Sequence, residues 1–468
     1  MLGAETITRF SATELTSLIR ARTLTARAVV EACLWQINRS DGRLRAFITI
    51  SPESALAEAD RLDGMAERGQ FAGALHGIPF AVKDLIPTAN IRTTRGSALY
   101  EHDVPDEDDV VVARLKAAGG ILIGKTNTPE FGFGALCRNV IAGNTVNPYA
   151  PDRTSGGSSG GSAVAVATGM VPLALGTDFG GSVRTPASFC DVIGIRPAVG
   201  TVPRVSKQFL WETLASFGVM ARTVSDAELM LAAIAGSDVR DPVSMGLQAY
   251  QSAQLFSRND LRLATSVDLG VATIAREVSD VFDLAIDRIS RMGFVVEAQH
   301  PDFTGVQQAF ETLRAGLLFH EFGPMIEDAS SDVSATVRWN VERGRNVSLK
   351  DVLQAETIRT RLYRNCAVFF EGFDFLLLPS ASVAPWPLSQ ADVDSIDDKP
   401  TNNIIDYLTI TYAISLVGLP VMSIPCGWTP DGRPIGMQIV AGPGRNGDLL
   451  AFAALLEQDD GFRHRFPA

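Results

Sequence analysis

Hydrophobic positions repeat with two different periods along this chain. Over roughly the first 65 residues they recur at spacings of three and four, with Val30, Leu34 and Ile37 on one face, which predicts helices. Ser11-x-x-Glu14 has the form of a capping box, and Thr25 stands where the N-cap of a second helix belongs. From about Leu75 the texture changes. Short apolar runs (Ile78 to Val82, Ile121 to Ile123, Val171 to Leu175) alternate with helical stretches. Runs this short, with no polar face, predict strands of a buried, largely parallel sheet.

The segment 261–299 repeats the theme. Leu261 to Thr265 reads as a strand, and Ile274, Val278, Val281, Ala285, Ile289 and Met292 form a helical stripe. Gly293 is placed to end that helix before a second strand, Phe294 to Val296. Phe375 to Leu378, stopped by Pro379, predicts a further strand, residues 300–370 read as mostly helical, and the Pro/Ser/Asp-rich stretch 381–402 as loop. At 468 residues the chain has room for about three domains of ~150 residues. It shows no fixed-period repeat and no long flexible linker. The expectation is therefore a single domain over 1–468, α/β, with a large mixed, mostly parallel sheet covered by helices on both faces.

Composition narrows the function. Hydrophobic residues make up 46% and charged residues 20%, ordinary for a packed globular chain. Net charge is −12 and Lys and Arg nowhere cluster, which argues against a nucleic-acid surface. Cys33, Cys137, Cys190, Cys366 and Cys426 have no metal-ligand or paired spacing, so they read as free buried thiols. There is no secretory pattern at the start and no apolar run long enough for a membrane span, so a cytoplasmic location is expected.

The oddest composition lies between Ser155 and Ser182. Gly156 to Gly161 is all glycine and serine, ahead of a run of small helix formers. A linker would not interrupt core segments. A phosphate loop would need a following lysine that is absent. Gly156-x-Ser158-x-Gly160 matches a nucleophile elbow, yet a turn-rich stretch precedes it rather than a strand, and no downstream histidine stands out as a base. The alternative is the second Gly-Gly-Ser. Pro172 to Thr177 reads as a strand running into Gly180, Gly181 and Ser182 before a short helix. A chain turning there leaves backbone N–H groups free to hold an oxyanion, and glycine permits the tight loop. A serine there needs a base. Lys83, inside the apolar run GIPFAVKDL, is where burial would neutralise an amine, although a structural pairing with Asp84 or Asp178 explains it equally well.

These segments resemble the amidase signature family. The likeness rests on GIPFAVKDL, GKTNTPEFGFG (Gly124 to Gly134), NTVNP (Asn144 to Pro148), GGSSGGSAVAVATG, GTDFGGSVRTPASFC and the tail GLPVMSIPCGWTPDGRPIGMQIVAGP. It extends in order from about Thr13 to near Glu457. The resemblance implies an amidohydrolase with Ser182 as acyl-forming nucleophile, Lys83 as general base and Ser158, on a cis peptide bond, relaying the proton. It further implies oxyanion donors at the N–H groups of Phe179, Gly180, Gly181 and Ser182. Asp178 and Arg184 would brace the loop, with Ser159 and Thr177 adding hydrogen bonds. Substrate-cap insertions are expected at about 200–260 and 300–400.

Simpler roles stand beside these. Ser159 could merely cap the helix that follows, and Arg184 reads as an ordinary salt-bridge partner rather than a substrate clamp. Cys190 reads as packing, and Glu130 and Asp84 as loop partners. The chain departs from the family pattern at Asp191, where glycine is usual, and at Arg196-Pro197-Ala198, where Lys-Pro-Thr is usual. Phe133, Gly134, Ala135 and Leu136 are the expected pocket wall. Phe131, Phe209, Leu210, Trp211 and Trp386 are further apolar candidates, which would suit a hydrophobic or aromatic acyl amide. His320-Glu321-Phe322 lacks the second histidine of a zinc motif, so neither metal nor cofactor is expected. A linear amide, hydrazide or carbamoyl compound is the expected substrate. The glutamine amidase subunit of a tRNA-dependent amidotransferase and a non-catalytic amide-binding or scaffold subunit are the alternatives. A homodimer is left open.

Overall fold

The computed structural model describes residues 2–245, 261–328 and 332–468. The part of the expected cap insertions at 246–260 and 329–331 lies outside the described residues. Eleven strands form one sheet. In chain order they are β1 (Phe47–Ile50), β2 (Pro79–Lys83), β3 (Ile121–Thr126), β4 (Leu173–Asp178), β5 (Ile193–Arg196), β6 (Ser216–Ala221), β7 (Arg262–Thr265), β8 (Val295–Ala298), β9 (Phe375–Pro379), β10 (Val421–Trp428) and β11 (Pro434–Ala441). Their spatial order is β1-β3-β2-β4-β6-β5-β10-β11-β9-β7-β8.

The sheet is mixed, but it is not mostly parallel. Parallel pairing is confined to two blocks, β3-β2-β4 and β9-β7-β8, and every other neighbouring pair is antiparallel. Apolar runs buried on both faces look the same in either direction, so hydrophobicity could not tell them apart. A second correction concerns the N-terminal segment. Its helices α1 (Ala12–Arg20) and α2 (Ala26–Leu44) form as expected, with the Ser11/Glu14 capping box and the Thr25 cap in place. The short β-branched run FITI of β1, however, follows α2 and closes one edge of the sheet against β3.

Alternation along the central strands sorts side chains between two cores. Phe80, Val82, Leu122, Leu173, Leu175, Phe217 and Val219 enter one, with Leu15 and Ile19 of α1. Ala81, Ile121, Ile123, Ala174 and Met220 enter the other, with Val30 and Ile37 of α2 and the small residues of α3 (Gly160–Ala167). After β4 comes a short helix, α4 (Arg184–Phe189). The strand–helix–strand unit expected near 261–299 is β7, α5 (Arg276–Arg291) and β8, with β7 and β8 parallel and Gly293 at φ +95° ending the helix. Three further helices, α6 (Val306–Asp328), α7 (Leu349–Gly372) and α8 (Thr409–Val417), cover the other half of the sheet, with Phe310, Leu362 and Tyr412 in one core with Leu376 of β9. No helix among the described residues is long and apolar enough to cross a membrane.

Candidate active site

Lys83 is the last residue of β2 and is fully buried. Its strand register explains its direction. Lys83 pairs with Thr126 of β3, whose hydroxyl bonds Ser162 of α3 at 2.7 Å, so the Lys83 side chain leaves the sheet on the α3 side. There its Nζ lies 2.6 Å from Ser158 Oγ, 3.0 Å from Ser159 Oγ and 2.9 Å from Thr177 Oγ1. No carboxylate is among these partners. Burial pushes the amine down to about 7, against weaker opposing effects of Cys137 and Asp178.

The Gly/Ser block runs past this amine. The Gly157–Ser158 peptide is cis, as the resemblance implied. Gly157 packs so closely that a Cβ there would lie 2.9 Å from the Ala135 carbonyl carbon. Ser159 sits at the N-cap position of α3, yet its side chain caps nothing. Instead Ser159 Oγ takes the Lys83 bond and donates to the Thr177 carbonyl at 3.3 Å, which sets aside the capping role. The Ser159 N–H donates to the Ser182 carbonyl at 3.0 Å and ties the two glycine-serine segments together.

The loop after β4 carries Phe179, Gly180, Gly181 and Ser182. Gly181 has φ +122°, and a Cβ on it would meet Thr411 Oγ1 at 2.4 Å, so only glycine fits. Asp178 holds the loop from within. Its carboxylate accepts from the N–H of Gly181 at 3.0 Å and of Val183 at 3.1 Å, and takes a two-point bond from Arg184 at 3.0 and 2.9 Å. Against the penalty of burial, Arg184 and Arg196 keep it well below the usual carboxylate range. This corrects one expectation: the Gly181 N–H is already spent on Asp178. The N–H groups of Gly180 and Ser182 have no acceptor among the described residues.

Arg184 is fully buried and uses all five of its donors. Beyond Asp178 they reach the Thr411 carbonyl (2.9 Å), Gln438 Oε1 (2.7 Å) and Ser415 Oγ (2.5 Å), so nothing remains for a substrate. Arg196, whose departure from the family pattern had no assigned role, donates to the Asp178 carbonyl and braces the same loop. Asp191, with φ +53°, faces away from the site and accepts from the Arg465 N–H at 2.7 Å near the C-terminus. Sequence reading missed Arg196, Gln438, Thr411 and Ser415 as supports. Gln438 lay inside the tail motif and Arg196 stood out only as a departure from the family pattern, whereas Thr411 and Ser415 had no local signal. Glu130 and Asp84 are loop partners, as expected: Glu130 accepts from Ser97 and Ser334, Asp84 from Thr94.

Ser158 and Ser182 both line a cavity of about 530 Å³, together with Phe131, Phe133, Gly134, Ala135, Phe179 and Gly180. Leu136 and Trp386 are core residues and do not reach it, Phe209 lies at its edge, and Leu210 and Trp211 are not part of the wall. The wall is also more charged than expected, with Arg95, Arg204, Lys207, Arg314, Asp109, Glu212 and Glu321 among its residues.

Known proteins resemble the chain over nearly its whole length. It is 32% identical to a glutamyl-tRNA(Gln) amidotransferase subunit of Thermosynechococcus vestitus, over 94% of this chain and 96% of that one. It is 30% identical to an acylamidase of Rhodococcus erythropolis, over 96% and 94%. Among solved structures, a bacterial aryl acylamidase of the amidase signature enzymes superposes with a TM-score of 0.88 at 25% identity, covering 97% of this chain and 96% of that one. The Amidase family model matches residues 28–450. The chain therefore belongs to the amidase (amidase signature) family and is a hydrolase acting on carbon–nitrogen bonds.

Proposed function

We propose that the chain hydrolyses a small linear carboxylic amide through an acyl-enzyme on Ser182. The observation that carries the reading is the contact of Lys83 Nζ with Ser158 Oγ, 2.6 Å apart, beneath a cavity that Ser158 and Ser182 share. A lysine held near 7 by burial is neutral for much of the time at physiological pH and can accept a proton. In the proposed sequence neutral Lys83 takes the Ser158 proton and Ser158 takes that of Ser182. Ser182 Oγ then bonds to the amide carbon. The carbonyl oxygen gains negative charge opposite the N–H groups of Phe179, Gly180 and Ser182. The same relay returns the proton to the leaving nitrogen, because an amide anion is a very poor leaving group. Water enters, the relay takes its proton, and the ester on Ser182 breaks to release the acid and restore the hydroxyl.

Mass spectrometry of the intact protein after treatment with a fluorophosphonate tests this. One adduct on Ser182, absent in Ser182→Ala, is the expected result. A folded protein that takes no adduct and turns over no amide in a panel would overturn it.

A second reading is favoured by the amidotransferase relatives, 32% identical over 94% of this chain. In that role the chain would release ammonia from glutamine and depend on partner subunits. Glutamine hydrolysis that appears only with co-purifying proteins would select it.

A further inference from the structure

Most charged residues of the cavity wall have partners; Arg314 and Glu321 are the exceptions among the described residues, and Arg314 bears on the substrate. Arg95 pairs with Asp103 at 3.3 Å and lies over the Tyr100 ring. Arg204 pairs with Glu212 at 2.5 Å, and Lys207 donates to the Glu212 carbonyl at 2.8 Å with Asp241 3.7 Å away. Asp109 accepts from Ser206 at 2.5 Å. Arg314 has no hydrogen bond and no ion pair among the described residues. The acid nearest to it in sequence, Glu311, is held by Arg343 at 2.7 Å. Glu321, the other unmatched charge of the wall, stands seven residues further along the same helix, roughly 10 Å away along its axis.

Arg314 belongs to the part of α6 that faces the reacting centre. Phe310, one turn before it, touches the oxyanion loop: its ring carbon would lie 3.2 Å from a Cβ on Gly180, and it packs edge-on to Phe179 with centroids 5.9 Å apart. The step from Phe310 to Arg314 is about 6 Å along the helix. The guanidinium sits 5.9 Å from the centroid of the Phe133 ring, at the outer limit of cation–π attraction. That contact alone does not offset the burial, which pushes the Arg314 guanidinium down to about 10, with a further push from Arg343 and a weaker opposing effect of Glu311. A half-buried guanidinium left unmatched in a binding cavity is suited to a planar anion supplied by the ligand.

We infer that Arg314 recognises a carboxylate on the substrate, so the preferred substrate is an amide carrying a carboxylate beyond an apolar spacer. Phe133, Phe179 and Phe310 flank the path between the reacting carbonyl and the guanidinium, which suits an aryl or short alkyl spacer. The inference rests on the amide-hydrolysis reading and names the substrate class for that site.

The test compares 4-carbamoylbenzoate with 4-methylbenzamide, two amides of similar shape that differ in one charge. The ratio of their kcat/KM values is read within each protein, so it does not depend on how much of a variant is folded. Wild type is expected to favour the carboxylate. Arg314→Met is expected to lower the ratio about 30-fold, mainly through KM, and Arg314→Lys to recover part of it. In parallel, calorimetry measures binding of 4-carbamoylbenzoate to Ser182→Ala with and without Arg314→Met. Turnover of both amides without preference, or a preference that survives Arg314→Met, overturns the inference and leaves the amidase reading standing. Binding that depends on Arg314 without any turnover by wild type supports the inference and overturns the proposed hydrolysis. Absence of both binding and turnover overturns both.

Discussion

Two lysines stand on neighbouring strands, one residue apart in register, and both are fully buried. Lys125 of β3 pairs with Val82 and so leaves the sheet on the face opposite to Lys83. Its amine reaches the Ile86 carbonyl at 2.5 Å, Thr88 Oγ1 at 3.0 Å and Thr93 Oγ1 at 2.8 Å, with the Asp84 carboxylate 3.9 Å away. Burial lowers it to about 8, with Asp84 opposing. Among the described residues Lys83 meets three hydroxyls and no carboxylate at hydrogen-bonding distance, and two of those hydroxyls, on Ser158 and Thr177, belong to residues that line the cavity. Burial alone therefore does not distinguish a structural amine from a reactive one. The partners do: a carbonyl and an acid hold a charged amine in place, whereas hydroxyls can exchange protons with a neutral one.

That contrast sets the predictions. Lys83→Met is expected to lower kcat by about 10³- to 10⁴-fold with the fold retained, and Ser182→Ala by at least as much. The double variant should fall no further than the worse single one, because the two groups act as a unit. Steady-state kinetics of the folded proteins decides this, and additive losses would break the proposed relay. Lys125→Met should instead destabilise the protein by about 3 kcal/mol in urea unfolding, since it leaves Asp84 buried without its cation. Its folded fraction should still take a fluorophosphonate on Ser182, and loss of labelling in a folded Lys125→Met protein would erase the contrast.

The pH profile gives a smaller effect. The proposed base is neutral above its folded value of about 7, so kcat/KM should rise with pH and level off above that value. On the acid side it should fall about tenfold per pH unit. A flat profile between pH 5 and 9 would remove Lys83 as the base. Ser159→Ala should cost only about fivefold in kcat/KM, one hydrogen bond of the three on Lys83, and a larger loss would assign Ser159 a place in the relay itself.

Several features were legible in the chain because they are local. Capping at Ser11 and Thr25, the β7–α5–β8 unit and the glycines of both Gly/Ser segments follow from spacing and residue type. The family likeness pointed to Lys83, Ser158 and Ser182; in the structure Lys83 bonds Ser158, and Ser158 and Ser182 line one cavity. Strand direction was not legible, since a doubly buried run is equally apolar whichever way its neighbour runs. Nor was the division of labour among N–H groups in the 179–182 loop, where Asp178 takes Gly181 for itself.

Composition and motif by themselves determined the class of fold and pointed to the residues proposed to carry the chemistry. Only the tertiary structure decided which of two buried lysines faces serines, because a single step of register sends a side chain to the other face of a sheet. It also decided that Arg184 is saturated and Arg314 is not. Arg184's partners Thr411, Ser415 and Gln438 lie more than two hundred residues away in the chain, and no local pattern records a hydrogen bond made across that distance.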